Sequence, residues 1–123
     1  EGQPVDVTMG HVNVVWQGDA NAMILMALGQ ATAPISALNV SGPDTVSIRA
    51  LAQAFGRAFG QEAAIAGEEA TAGWLNDASL ALGLFGNPTV SLGRLIAWQA
   101  DWLKRGMPSL GKPTGFQVRD GKF

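Results

Sequence analysis

General acid/base work needs two titratable groups held across one substrate. The carboxylates with a setting for it here are Asp19, Glu68, Glu69, Asp77 and Asp101. No spacing in the sequence brings two of them together. Asp19 and Asp77 stand where helices begin and read as caps, and Glu68 with Glu69 reads as a solvated pair in a loop. His11 is the only histidine and there is no cysteine, so the Cys and His set of a zinc site is missing. Gly106, Gly111 and Lys112 reproduce the spacing of a phosphate-binding loop, Gly-x-x-x-x-Gly-Lys. Pro113 then stands where a Ser or Thr would ligate magnesium, and the stretch follows a helix instead of joining a strand to one, so no nucleotide is expected there. Asn39-Val40-Ser41 fits the glycosylation pattern, which is short, frequent by chance and relevant only to a secreted chain. There is no tyrosine, and of the four tryptophans Trp98 and Trp102 are four apart, a helical spacing that favours core packing.

These groups must be positioned by a small scaffold. A chain of 123 residues fits one domain, residues 1–123, and buries roughly two thirds of its unfolded surface. The net charge is -2 with Lys and Arg scattered, so no basic stripe exists and nucleic acid is not an expected partner. The longest apolar stretch, residues 22–28, is far short of the roughly 20 residues a membrane span needs, so a soluble chain without a membrane partner is expected. Residues 22–33 faintly mimic a signal-peptide cleavage region, but Asp19 precedes them and no basic segment does. With no cysteine, the composition suits the cytoplasm. The chain opens at Glu1 instead of Met and reads as a fragment.

Residues 11–16 alternate, with Val12, Val14 and Trp16 on one face, and predict a first strand. Asp19 is expected to cap a helix burying Ala20, Met23, Ile24, Ala27 and Leu28 and closed by a left-handed Gly29. Residues 35–40 predict a second strand, followed by the turn Ser41-Gly42-Pro43-Asp44. Ser47 caps the clearest amphipathic helix, with Ile48, Leu51, Ala52, Phe55, Ala58 and Phe59 on one stripe and Gly60 at its end. A weaker third strand falls at 62–66. Asn76 or Asp77 caps a short helix with Ala78, Ala81, Leu82 and Phe85 inward, stopped by Gly86 and Pro88. Ser91 caps the last helix, in which Leu92, Leu95, Ile96, Trp102 and Leu103 face inward and Lys104 and Arg105 complement the dipole before Gly106. Residues 107–123 are mostly irregular, with a short extended segment at Phe116 and Val118. The expected fold class is α/β: a small, mainly parallel sheet of about three strands with about four helices. Such a sheet leaves an edge or face for an upstream portion, or a second copy in a homodimer, to cover.

Several segments, in order, resemble the C-terminal half of the extended short-chain dehydrogenases, the NAD-dependent epimerase/dehydratase family. Val12-Asn13-Val14-Val15-Trp16-Gln17-Gly18-Asp19-Ala20 is similar to that family's strand running into an Asp-x-Ala helix start. Leu38-Asn39-Val40-Ser41-Gly42-Pro43-Asp44-Thr45-Val46-Ser47-Ile48-Arg49-Ala50-Leu51 resembles its "N-v-s-G-p-e" stretch. Asn76-Asp77-Ala78-Ser79, Leu84-Phe85-Gly86-Asn87-Pro88 and the helix from Trp98 to Trp102 resemble its ending. Together they cover most of residues 11–106.

The resemblance implies a parent enzyme whose N-terminal Rossmann domain binds NAD(P) and carries a catalytic Tyr, Lys and Ser or Thr, while this part closes over a small-molecule substrate. No cofactor is expected in this chain and no catalytic residue, since it has no tyrosine and no Gly-rich turn after a strand. Nucleotide-sugar members hold the diphosphate with two arginines, and here Val12 and Glu68-Glu69 fall at or near those places. A carboxylate cannot replace a phosphate-clamping guanidinium, so the resemblance speaks against a nucleotide-sugar substrate. Ligands gather at the carboxyl ends of parallel strands, which makes Trp16 and Gln17, with Asn13 behind them, the predicted substrate-binding residues. Equally open is the reading in which Trp16 packs in the core and Asn13 satisfies backbone groups. The expected function is a substrate-binding lid, not catalytic alone. The alternative is a free-standing module that binds small molecules or itself.

Overall fold

The computed structural model describes residues 2–71 and 73–112. Pro113 and the extended segment expected at Phe116 and Val118 lie outside the described residues. In chain order the elements are β1 (Val5–Asp6), β2 (His11–Val12), α1 (Gln17–Ala27) running into a 3₁₀ turn (Leu28–Gln30), β3 (Val46–Ser47), α2 (Ile48–Phe59), β4 (Ile65–Ala66), α3 (Ser79–Phe85) and α4 (Leu92–Lys104). The class is α/β, with four α-helices among the described residues, as expected. Strand pairing is sparse and mostly parallel. β1 lies parallel to β4, Val5 opposite Ile65, and Val12 makes a parallel bridge to Trp74. β2 lies antiparallel to β3, His11 opposite Ser47.

α2 forms as its sequence dictates. The Ser47 hydroxyl accepts from the Ala50 amide at 3.2 Å, relieving one of the helix's orphan donors. Gly60, at φ 72°, ends the helix in the left-handed conformation open to glycine. Its inward stripe buries Ile48 and Ala52. Ile48 joins Val7 and Met9 as the buried centre of the core, with Val12, Leu51, Ile65 and Trp74 packed around it. Ser91 caps α4 by accepting from the Arg94 amide, and Asp77 accepts from the Ser79 amide at 2.9 Å to start α3.

Elsewhere tertiary contacts override the local pattern. The first strand pairs only over His11–Val12, because from Asn13 onward the chain bonds through side chains instead of a ladder. Residues 35–40 join no ladder among the described residues, since no strand runs beside them. The 62–66 strand contracts to Ile65–Ala66, and its partner β1 is a strand that the short Val5-Asp6 alternation did not signal. α1 starts two residues before Asp19, with Trp16 as its N-cap residue, so Asp19 sits in the first turn and turns inward. There its carboxylate accepts from Thr89 Oγ1 at 2.7 Å and from the Val90 amide at 3.0 Å, pinning the turn before α4 to α1. The Thr89 hydrogen bond holds the Asp19 pKa below its ordinary value. Gly29 is not left-handed; the helix tightens into the 3₁₀ turn and leaves through Ala31. Of the expected α1 stripe Met23 is buried, but Ile24 is 55% and Leu28 73% exposed. Trp98 and Trp102 are exposed as well, against the expected core packing: Trp98 meets Trp16, and the Trp102 indole donates to the Pro108 carbonyl.

Stability therefore rests on few side chains. Met9→Ala is expected to cost about 2 to 4 kcal/mol, whereas Leu25→Ser, on a side chain 68% exposed, should leave the urea midpoint almost unchanged. Equilibrium unfolding of the two variants checks the contrast.

Candidate functional site

The carboxyl end of β2 is organised by Asn13. Its Nδ2 donates to the carbonyl of Gly42 at 3.3 Å and to that of Asn76 at 2.8 Å, while its Oδ1 accepts from the Asn76 amide at 3.2 Å. One carboxamide thus joins three segments distant in sequence. Ser41 Oγ donates back to the Asn13 carbonyl, and Asn39 Nδ2 donates to the carbonyl of Asp77, adding two further ties. Gly42 passes so close to the strand that a Cβ there would lie 1.9 Å from the Val14 carbonyl oxygen. Only glycine fits. Two small hollows flank Pro43: one of about 180 Å³ bordered by Asn13, Thr45, Asn76 and Asp77, and one of about 110 Å³ bordered by Val14, Val46 and Val90.

Trp16 and Gln17 lie where the chain turns from this strand into α1. Gln17 is exposed. Trp16, 38% exposed, lays its indole over Gly18 and meets Trp98 of α4 edge to face, with ring centroids 5.7 Å apart. The Arg94 guanidinium stands 5.8 Å over the Trp98 ring, a cation–π contact. Asn13 therefore satisfies backbone groups, as one of the two sequence readings had it, while Trp16 stays at the surface. Trp98 was read in the sequence as core and Arg94 went unrecognised, since neither residue sits near Trp16 in the chain.

A second cluster lies beside the start of β2. Arg49 of α2 grips Glu69 with Nε and Nη2, the latter at 2.9 Å. Glu69 was expected to be solvated, but a cation twenty residues away reaches it with fork geometry suited to a carboxylate. With the Arg49 hydrogen bond as the largest cause, the Glu69 pKa falls from 4.5 to about 2, and the same hydrogen bond raises that of Arg49. Among the described residues no group of His, Cys, Asp or Glu is placed to hold a metal ion. No described helix is long and apolar enough to cross a membrane.

No family model matches the sequence, and no curated protein does. Solved structures do match in three dimensions. The UDP-glucuronic acid 4-epimerase of Bacillus cereus in complex with NAD superposes with a TM-score of 0.66 at 20% identity, over 87% of this chain and 36% of the epimerase chain. This chain shares its fold with part of an epimerase. A UDP-galactose 4-epimerase gives a TM-score of 0.62 at 20% identity, over 86% of this chain and 37% of the other. A mutant of the Bacillus enzyme, in complex with a fluorinated UDP-glucuronic acid and NAD, gives 0.63 at 22% identity. The chain thus spans little more than a third of the epimerases that it matches.

Two predictions follow from the geometry. Gly42→Ala should cost about 2 kcal/mol or more, because the methyl group must displace backbone. Asn13→Ala, which strands two carbonyls and an amide, should cost about 1 to 3 kcal/mol. Thermal and urea unfolding read both. For Glu69 the folded pKa lies below the unfolded one, so its contribution to stability is present above about pH 4.5 and is lost as the pH falls toward 2. A urea midpoint that drops over this window in the parent chain, and drops less in Glu69→Gln, is the expected result. High salt should shrink the difference.

Proposed function

We propose that this chain is the substrate-binding lid of an NAD(P)-dependent epimerase, dehydratase or reductase of the extended short-chain dehydrogenase family, and that it is not catalytic alone. The observation that carries this reading is the fold match to an NAD-bound epimerase over 36% of its length. The family's ordered segments between residues 11 and 106 support it independently. In this reading the partner is an N-terminal Rossmann domain that holds the coenzyme and the catalytic tyrosine, which a chain without any tyrosine must borrow.

The chain's own strand-to-helix junctions fit a coenzyme pyrophosphate poorly. At the first, the Trp16 indole covers Gly18; at the second, the Ser47 hydroxyl already fills the cap of α2. No step of the chemistry is therefore assigned to these residues. Trp16 and Gln17 present the groups that meet a small-molecule substrate, and Asn13 behind them fixes the loops on which the pocket depends. The Glu69 carboxylate, neutralised by Arg49, leaves no free guanidinium at that place to clamp a diphosphate, which favours a substrate other than a nucleotide sugar. A cytoplasmic location accords with the absence of cysteine.

A second reading is favoured by the exposure of Leu25, Leu28 and Leu80, each 60% or more. In it the chain stands alone as a module that buries this surface by forming a homodimer.

Coenzyme titration separates the possibilities. The chain alone should show no saturable binding of NAD or NADP by fluorescence or calorimetry and no turnover of sugars or alcohols, whereas the full-length gene product should bind the coenzyme. Binding or turnover by the isolated chain overturns the proposal. A gene product without a coenzyme domain that forms a stable dimer in solution supports the second reading.

A further inference from the structure

Trp16 is held at the surface instead of sinking into the core. A Cβ on Gly18 would fall 2.3 Å from its indole carbons, so the ring lies directly against bare backbone. Trp98 closes on it edge to face, with the ring planes 68° apart and the centroids 5.7 Å apart. The two indoles make a corner that is 38% exposed at Trp16 and 46% at Trp98. Aromatic surface fixed in this way has little side-chain freedom left to lose, which suits it to receive a ligand.

Arg94 brings charge to the corner. Its guanidinium stands 5.8 Å over the Trp98 ring, and no hydrogen bond or ion pair among the described residues uses it. Arg49 and Arg105, by contrast, each hold a carboxylate of this chain, Glu69 and Asp101. Asp19, which α1 turns toward the start of α4, gives one oxygen to Thr89 and the other to Val90 and so leaves Arg94 unpaired. Arg94 also lies in the first turn of α4, three residues after the Ser91 cap, where the helix dipole adds to the attraction for an anion. A guanidinium matches two coplanar oxygens, the geometry of a carboxylate, and it can meet them while stacked on an indole. One unpaired cation balances one carboxylate. Gln17, exposed beside Trp16, can both donate to and accept from hydroxyl groups. Indole surface, a carboxamide and a cation together complement a ring with C–H groups on one side, hydroxyls at its edge and a carboxylate at its end.

We propose that the corner of Trp16 and Trp98, with Arg94, binds a sugar acid by its carboxylate. This inference deepens the reading under Proposed function and rests on it: Trp98 and Arg94 join Trp16 and Gln17 as substrate-binding residues, and the substrate is a hydroxylated acid.

Calorimetric titration of the full-length gene product, saturated with coenzyme, tests the inference with sugars that differ at a single carbon: D-glucuronate against D-glucose, and D-galacturonate against D-galactose. At least one acid is expected to bind ~10-fold or more tightly than its neutral partner. Arg94→Gln should abolish that margin without changing the affinity for the neutral sugar, whereas Trp98→Ala should weaken binding of acid and neutral sugar alike. Arg94 is exposed, so Arg94→Gln is expected to fold, and coenzyme affinity equal to the parent's verifies it. No preference for either acid, or a preference that survives Arg94→Gln, overturns the inference, while the bound coenzyme leaves the functional reading standing. A gene product that binds no coenzyme removes that reading and this inference with it.

Discussion

The carboxamide of Asn13 holds together what regular secondary structure does not. Strand pairing among the described residues amounts to two-residue ladders and a single bridge, too little to fix the loops that gather at one end of β2. Asn13 supplies that constraint with two donors and an acceptor, all spent on main-chain groups of Gly42 and Asn76. The arrangement needs a backbone without a Cβ at Gly42, where the chain passes against the Val14 carbonyl. Among the described residues no buried side-chain nitrogen or oxygen is left without a partner, as a polar junction must be if it is to stabilise and not destabilise.

The apolar side chains tell the complementary story. A core centred on Val7, Met9 and Ile48 occupies one side of the molecule, while α1, α3 and the outer side of α4 present large aliphatic and aromatic groups to solvent. Isolated exposed leucines are ordinary, but a contiguous apolar surface marks a place where something else binds. α2 illustrates the difference: it has one apolar stripe and one polar face, and the stripe carries Ile48 and Ala52 into the core. On α1 the run from Ala22 to Leu28 is apolar throughout, and of it only Met23 is buried.

The scaffold shared with part of the UDP-sugar 4-epimerases positions a strand end and a tryptophan pair with an arginine over one ring. Where an ion pair does form, between Arg49 and Glu69, the two charges cancel locally instead of waiting for a ligand.

The sequence by itself determined the class of the fold, the four helices and most of their ends. Ser47 and Ser91 cap as read, Asp77 accepts from the Ser79 amide from one position before the Ala78 cap, and Gly60, Gly86 and Gly106 adopt the positive φ that ends a helix. These are local effects, set within one helical turn by a hydroxyl, a carboxylate or a missing Cβ, and so they are written in neighbouring residues. Tertiary structure alone decided that Asp19 would leave its cap role for Thr89, that Glu69 would find Arg49, that Trp16 would meet Trp98, and that residues 35–40 would stay unpaired. Each of these depends on which distant segment the fold brings alongside, or fails to bring, and no local pattern of side chains encodes a neighbour seventy residues away.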